Sequence, residues 1–322
     1  MATVEFEAQH CELADGESVL ECLERAGHSI PNSCRSGVCH SCLMRATSGD
    51  VPPAAQKGLK ETQRAQGYFL SCCCYPDTDL NAARVDGDSM RIRARLLSKE
   101  SLNERVLRVV LDAQDSMAYF PGQFVNFARA DGLVRSFSLA SVPQLDEGLE
   151  FHVALVPGGK MSGWLHHEAV PGDELDLMGP LGNCFYVAGN PEQPLLLLGT
   201  GTGLAPLYAI ARDALHQGHT GPIHLFHGAL VAADRYLVAT LSRLSEAHAN
   251  FNYHSCVRDE AGPTWVQADV DIHALNLVPS LKGWKVYLCG NPALVRQVQR
   301  KAFLAGASMQ DIYADAFLPA GG

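Results

Sequence analysis

Apolar residues follow two different rhythms along this chain. Around positions 90–96, 106–111, 123–127 and 151–156 they tend to recur at every second residue, as in 90, 92, 94 and 96, the period of a half-buried strand. Pro-Gly, Asp-Gly and Gly-Gly pairs punctuate these segments, and several short strands so spaced predict an antiparallel barrel. From residue 190 onward the rhythm changes. Residues 194–199 form a continuous apolar run followed by glycines and a helical stretch over 205–217. Further strands are expected at 223–226, 251–257 and 284–289 with helical segments between them, an alternation that predicts a doubly wound parallel sheet. The first 88 residues hold short strands around one helix. Ser18 and Glu21 have the spacing of a capping box, Val19, Leu20, Leu23 and Ala26 form an apolar stripe, and Gly27 is placed to stop the helix.

Three blocks result, 1–88, 89–189 and 190–322, in a chain long enough for two or three domains. With 47% hydrophobic and 19% charged residues it has the composition of a globular protein. No apolar stretch approaches the roughly 20 residues that cross a bilayer, and residues 1–7 show neither the basic nor the apolar region of a signal peptide. A cytoplasmic enzyme or carrier is expected, with no membrane. The net charge of −10 argues against a nucleic-acid partner. Residues 1–88 carry 13 acidic and 7 basic side chains, six of those ten net negative charges.

Eleven cysteines in a reducing compartment need an explanation other than disulfides. Cys34, Cys39 and Cys42 have the spacing C-x4-C-x2-C, and Cys72, Cys73 and Cys74 follow about thirty residues later. This is the plant-type [2Fe-2S] pattern. Three thiolates on one tight loop reach a compact cluster, and small residues such as Ser36, Gly37 and Ser41 let backbone amides approach its sulfurs. A zinc site is the alternative, but zinc favours short Cys pairs on both arms. The residues alone leave three candidates for the fourth ligand.

Two further stretches carry candidate chemistry. Gly158-Gly159-Lys160-Met161-Ser162 precedes an apolar helical start, an arrangement of free N–H groups that suits an anion. Gly199-Thr200-Gly201-Thr202-Gly203-Leu204-Ala205-Pro206 follows a buried strand and opens a helix, which suits a pyrophosphate. The thirteen histidines form no H-x-x-x-H pair on a helical face and are read as structural or surface residues.

The cysteine loop resembles the ferredoxin signature, and Tyr68–Cys72 with Tyr75-Pro76 resembles the segment bearing its last ligand, which selects Cys72. Arg135-Ser136-Phe137-Ser138 resembles the R-x-Y-S motif of the ferredoxin–NADP reductase superfamily, with Phe for Tyr. The glycine turn resembles that superfamily's G-x-G-x-G-x-x-P, Cys289-Gly290-Asn291-Pro292 its C-G-x-P, and Asp315-Ala316-Phe317 its C-terminal acidic–x–aromatic segment. The whole chain thus resembles the NADH-dependent reductase components of bacterial multicomponent oxygenases.

That resemblance implies a multidomain α+β and α/β fold. It comprises a β-grasp [2Fe-2S] ferredoxin domain, an antiparallel β-barrel FAD domain and a doubly wound NAD domain. It implies that Arg135, Phe137, Ser138 and the 159–162 residues hold the flavin. Gly199, Thr200, Gly201, Thr202, Gly203, Pro206, Cys289 and Gly290 would receive the nicotinamide coenzyme. Ser138, Cys289, Asp315 and Phe317 would serve hydride transfer, Phe317 yielding its place on the flavin to the nicotinamide. FAD rather than FMN follows by analogy with relatives that carry an N-terminal ferredoxin domain. The stretch after the second strand of the last block has no basic residue before Arg235, and Asp234 would repel a 2′-phosphate, so NADH is favoured. The implied reaction passes electrons from NADH through FAD and the cluster to an oxygenase, an aromatic-ring dioxygenase or di-iron monooxygenase, or to an intermediate ferredoxin docking at the acidic N-terminal block. The alternatives are a non-oxygenase acceptor such as a deoxysugar-forming dehydratase, or a redox sensor without turnover.

Overall fold

The computed structural model describes residues 2–85 and 91–318. It divides into two compact units, residues 1–88 and 89–322. The expected boundary after residue 88 and the expected strand residue Met90 lie outside the described residues.

In the first unit β1 (Thr3–Phe6) and β2 (Gln9–Glu12) form a hairpin. Helix α1 (Val19–Arg25) follows, with the Ser18–Glu21 capping box in place and Gly27 at φ +91° just past its end. Its buried stripe is Val19, Leu20, Cys22 and Leu23. Ala26, expected in the stripe, is the exposed C-cap, because the helix is only two turns long. Strand β3 (Leu43–Ser48), the short helix α2 (Glu61–Ala65), β4 (Tyr68–Leu70) and β5 (Leu80–Arg84) complete the unit. The sheet order is β2-β1-β5-β3-β4, with β1 and β5 parallel at its centre and α1 across one face. This is a β-grasp arrangement.

The second unit opens with six antiparallel strands, β6 (Arg91–Asn103), β7 (Val106–Ala113), β8 (Phe124–Ala128), β9 (Val134–Ser138), β10 (Leu149–Ala154) and β11 (Glu174–Leu181). Helix α3 (Lys160–His167) lies between the last two. Their order is β10-β7-β6-β11-β8-β9. The two outer strands meet through a bridge between Leu139 and Phe151, so the sheet closes on itself around Phe127, Phe151 and Leu177. Strand β10 starts and stops two residues before the position expected from its alternation. The amide of Leu155 is already given to the Arg105 carbonyl, and a turn begins at Val156.

The chain then alternates as β12 (Leu195–Thr200), α4 (Leu204–His216), β13 (Ile223–Ala229), α5 (Val238–Ala247), β14 (Phe251–Val257), β15 (Val266–Gln267), α6 (Val270–Leu277), β16 (Lys285–Gly290), α7 (Pro292–Leu304) and β17 (Ile312–Ala316). All are parallel, in the order β15-β14-β13-β12-β16-β17. Helices α4 and α5 cover one face and α6 and α7 the other, so the central strands are apolar throughout and read as a continuous run. The chain reverses direction across the sheet between β12 and β16, and ligands of open α/β sheets bind at the carboxyl end of such a reversal.

Candidate functional site

The first unit gathers the cysteines on one loop. Arg35, Gly37 and His40 all have positive φ (50°, 76° and 57°), which curls residues 34–42 tightly enough to turn their amides inward. The amides of Ser36 and Cys39 point at Cys34 Sγ (3.5 and 3.3 Å), and that of Cys34 at Cys39 Sγ (3.5 Å). Hydrogen bonds from the Ser36 side chain and amide hold the Cys34 thiol down to about 5, and Ser41 lowers Cys39 in the same way. Cys42 and Cys72 are buried with Sγ atoms 3.3 Å apart, and burial raises both. One pair is thus ready to ionise and the other needs a cation to drive ionisation, as a metal ligand does. Cys74 is buried in the core. Cys73 is only half-buried, its Sγ 3.6 Å from that of Cys72 and 3.0 Å from where a Cβ on Gly37 would sit. This donor set fits an iron–sulfur cluster.

The second unit contains two adjoining cavities. The first, of about 460 Å³, is lined by Phe124, Arg135, Phe137, Ser138, Asp315 and Phe317 among others. Arg135 donates only to its own neighbour's carbonyl and has no carboxylate partner among the described residues, which leaves its guanidinium for a phosphate. Phe137 and Phe317 supply aromatic rings, so the cavity fits a flavin. Ser138 Oγ donates to Asp315 Oδ2 at 3.1 Å, joining β9 to β17. Burial raises the Asp315 carboxyl. Asp315 is paired with Cys289 across β16 and β17, and the Phe317 amide donates to the Gly290 carbonyl at 2.8 Å. Cys289 is fully buried beneath this junction, with Cys184 Sγ 3.7 Å from its own, and burial pushes its thiol well up.

The second cavity, of about 450 Å³, opens over the carboxyl ends of β12, β13 and β14. Thr200, Gly201 and Thr202 form its floor at the start of α4, where free N–H groups favour an anion. The glycines of this turn divide the work. Gly201, at φ +54°, has open space where a Cβ would be, whereas a Cβ on Gly203 would run into the Cys289 carbonyl and lie 2.8 Å from Gly290 Cα. Gly203 therefore serves the packing of one turn on another, and Gly201 the approach of a ligand. The two cavities share Ala154 and Thr202.

Several expected residues stand apart from these walls. Gly159 is the N-cap of α3, Lys160 begins it, and Met161 and Ser162 are buried, Ser162 Oγ accepting the Val156 amide at 3.2 Å. None of the four lines either cavity, although Val156 does. Pro206 and Gly199 are buried behind the glycine turn. Other residues come to the site without a signal in the sequence. Asn103, Arg105, Arg258, Asp269 and Asp271 border the coenzyme cavity, and His152 the flavin cavity. His152 Nε2 lies 3.0 Å from Glu150 Oε1 and its Nδ1 3.3 Å from the Tyr236 hydroxyl. Burial pushes the Glu150 carboxyl up, but hydrogen bonds from His152 and Arg108 outweigh it and hold it at about 2.

A closed antiparallel barrel with an arginine-bearing cavity, set against a nucleotide-binding parallel sheet and joined in one chain to a three-thiol loop with a fourth thiol beside it, defines a flavin- and nicotinamide-dependent iron–sulfur oxidoreductase. The 2Fe-2S iron-sulfur cluster binding domain family matches residues 2–77, the oxidoreductase FAD-binding domain 93–186 and the oxidoreductase NAD-binding domain 197–300. The aromatic O-demethylase reductase subunit of Amycolatopsis is 33% identical over 318 residues, covering 95% of each chain. The ferredoxin–NAD(P)+ reductase component of the naphthalene 1,2-dioxygenase system of Pseudomonas putida is 30% identical, also over 95% of each. A crystal structure of an Amycolatopsis cytochrome P450 reductase aligns over all of both chains with a TM-score of 0.70 and 30% identity. The chain belongs to the family of flavin iron–sulfur reductase components that carry electrons from a nicotinamide coenzyme to oxygenase systems. Its cofactors are a [2Fe-2S] cluster, FAD and NAD. No helix among the described residues is long and apolar enough to cross a membrane.

Proposed function

We propose that the chain takes hydride from NADH where the two cavities adjoin and delivers single electrons from the 34–42 loop to an oxygenase component or an intermediate ferredoxin. The sharing of Ala154 and Thr202 by both cavities carries this reading, since it brings a coenzyme seated on the glycine turn to the flavin wall. Bound flavin supplies the conversion of a two-electron hydride into single electrons, and the cluster accepts them one at a time.

The chain's own residues do the rest. Arg135 binds a flavin phosphate, and Phe137 and Phe317 cover the ring faces and exclude water. Ser138 holds a proton at Oγ, with Asp315 Oδ2 as its acceptor. The Gly159–Ser162 turn stands behind the flavin cavity and holds its wall through the Ser162 Oγ bond to the Val156 amide. Gly201 and Thr202 offer amides to the coenzyme pyrophosphate, and Cys289, Gly290 and Gly203 fix the strand end beneath the nicotinamide. Cys34, Cys39, Cys42 and Cys72 ligate iron. Three modules carry these tasks, 1–88, 89–189 and 190–322. Four thiols that must stay reduced suit the cytoplasm.

The partner docks on the first module. Six of the ten net negative charges belong to residues 1–88, and Val38, at the tip of the cysteine loop, is 79% exposed and offers an apolar contact. A basic patch on the partner would be steered there. Raising ionic strength from low salt to about 0.5 M should slow transfer to the physiological acceptor roughly tenfold or more while leaving anaerobic flavin reduction by NADH unchanged. Equal insensitivity of both steps would remove the docking reading.

A further inference from the structure

The segment 230–236 after β13 borders the coenzyme cavity through Leu230 and Asp234, yet much of what fixes it comes from the flavin barrel. Asn103, the last residue of β6 before the turn to β7, donates from Nδ2 to the carbonyls of Ala233 (3.3 Å) and Arg235 (3.4 Å). Its Oδ1 accepts the amides of Arg105 and Val106 at 2.9 and 2.8 Å. One side chain thus ties the barrel turn to the segment. Tyr236 anchors the other end on His152. Between the two carbonyls that Asn103 holds, Asp234 presents its carboxylate 3.7 Å from the Arg105 guanidinium, and both residues line the cavity. The second cation of the cavity wall, Arg258, has its Nε 3.0 Å from Asp259.

The Arg105–Asp234 pair is too long and too exposed to add much stability; the Arg105 side chain is 62% open to solvent. Its placement matters for recognition instead. A carboxylate accepts hydrogen bonds from a ribose diol and repels a phosphate in the same position. A guanidinium behind that carboxylate orients it and, with the carboxylate gone, presents a fork matched to phosphate oxygens.

We propose that Arg105, a residue of the flavin barrel, determines coenzyme specificity: it holds Asp234 toward the adenosine ribose and is the latent receptor for a 2′-phosphate. The inference rests on the reading of this cavity as the coenzyme site, and it makes coenzyme choice a property of two domains together.

Binding of 5′-AMP and of 2′,5′-ADP to the holoenzyme, measured by calorimetry, tests it without involving nicotinamide or hydride transfer. Asp234→Asn should tighten 2′,5′-ADP about tenfold and raise the NADPH-to-NADH ratio of kcat/KM in step. In an Arg105→Ala background that gain should fall below about threefold, while Arg105→Lys, which keeps the charge but loses the fork, should retain an intermediate part of it. Arg105→Ala alone should weaken 5′-AMP severalfold. Unchanged thermal unfolding temperatures would show that the variants fold. A gain from Asp234→Asn that is equal with and without Arg105 overturns the inference and leaves the coenzyme site standing. Indifference of both adenosine ligands to every variant overturns the site assignment as well.

Discussion

The cysteine loop and the hydride site are built on opposite plans. The loop draws three of its four thiols from nine consecutive residues, and its shape comes from local backbone, three positive φ angles within six positions. The proposed hydride site draws Ser138 from β9, Asp315 from β17 and Cys289 from β16, and its central hydrogen bond joins residues 177 positions apart. In the first, a change of residue acts on a ligand. In the second it acts on the packing that brings distant strands together. A redox centre that only exchanges electrons tolerates an exposed, self-contained loop, whereas hydride transfer needs a walled site from which water is excluded.

Removing a ligand should separate the two most sharply. Cys39→Ala is expected to abolish electron delivery to the cluster and to external acceptors that depend on it, while NADH still bleaches the flavin in stopped-flow traces. Loss of both would mean that the two centres are not independent. Cys72→Ser should remove the cluster's visible absorbance and Cys73→Ser should preserve it; the reverse result would reassign the fourth ligand. Next in size, Ser138→Ala and Asp315→Ala should each slow hydride transfer about a hundredfold without altering the iron–sulfur spectrum.

Smaller effects test the packing side. Gly203→Ala should destabilise the second unit by about 1–3 kcal/mol in denaturant unfolding, since the new Cβ meets the Cys289 backbone. Gly201→Ala should act mainly on coenzyme affinity. Phe317→Ala should change KM and coenzyme preference severalfold; unchanged values would leave it a packing residue. Least of all, the two units should differ in acid. Burial pushes the His227 imidazole, in the nicotinamide sheet, down to about 4. A folded-state value below the ordinary 6.5 stabilises above pH 6.5, and that stabilisation is lost as pH falls from about 6.5 toward 4. His227→Gln should flatten the pH dependence of thermal unfolding over that window, and an unchanged slope would show that His227 titrates normally.

What could be read from the sequence follows the same division. The cysteine spacing, the glycine turn and Arg135–Ser138 were legible because each is a short stretch whose chemistry needs those neighbours. Strands β12, β13, β14 and β16 were legible because buried parallel strands are apolar on both faces, whereas β15, two exposed residues, and β17, at the sheet edge and only partly buried, carry no such run. Asn103, Arg105 and His152 gave no signal. Asn103 and Arg105 look like ordinary turn residues and His152 like a core position of β10, and only closure of the barrel beside the parallel sheet brings them to the cavities. Gly203 stands in the stretch expected to seat a pyrophosphate, and a second reason for a glycine there is not legible: a Cβ would meet Cys289, 86 positions away.

The hydrogen bond between Ser138 and Asp315 also sets an order of events during synthesis. A ribosome has made the whole barrel and most of the nucleotide sheet before the strand with the acidic partner emerges. A fragment released early lacks that partner. On the role proposed for Asp315, such a fragment would be slow to take hydride from NADH until the last strand of the sheet is in place.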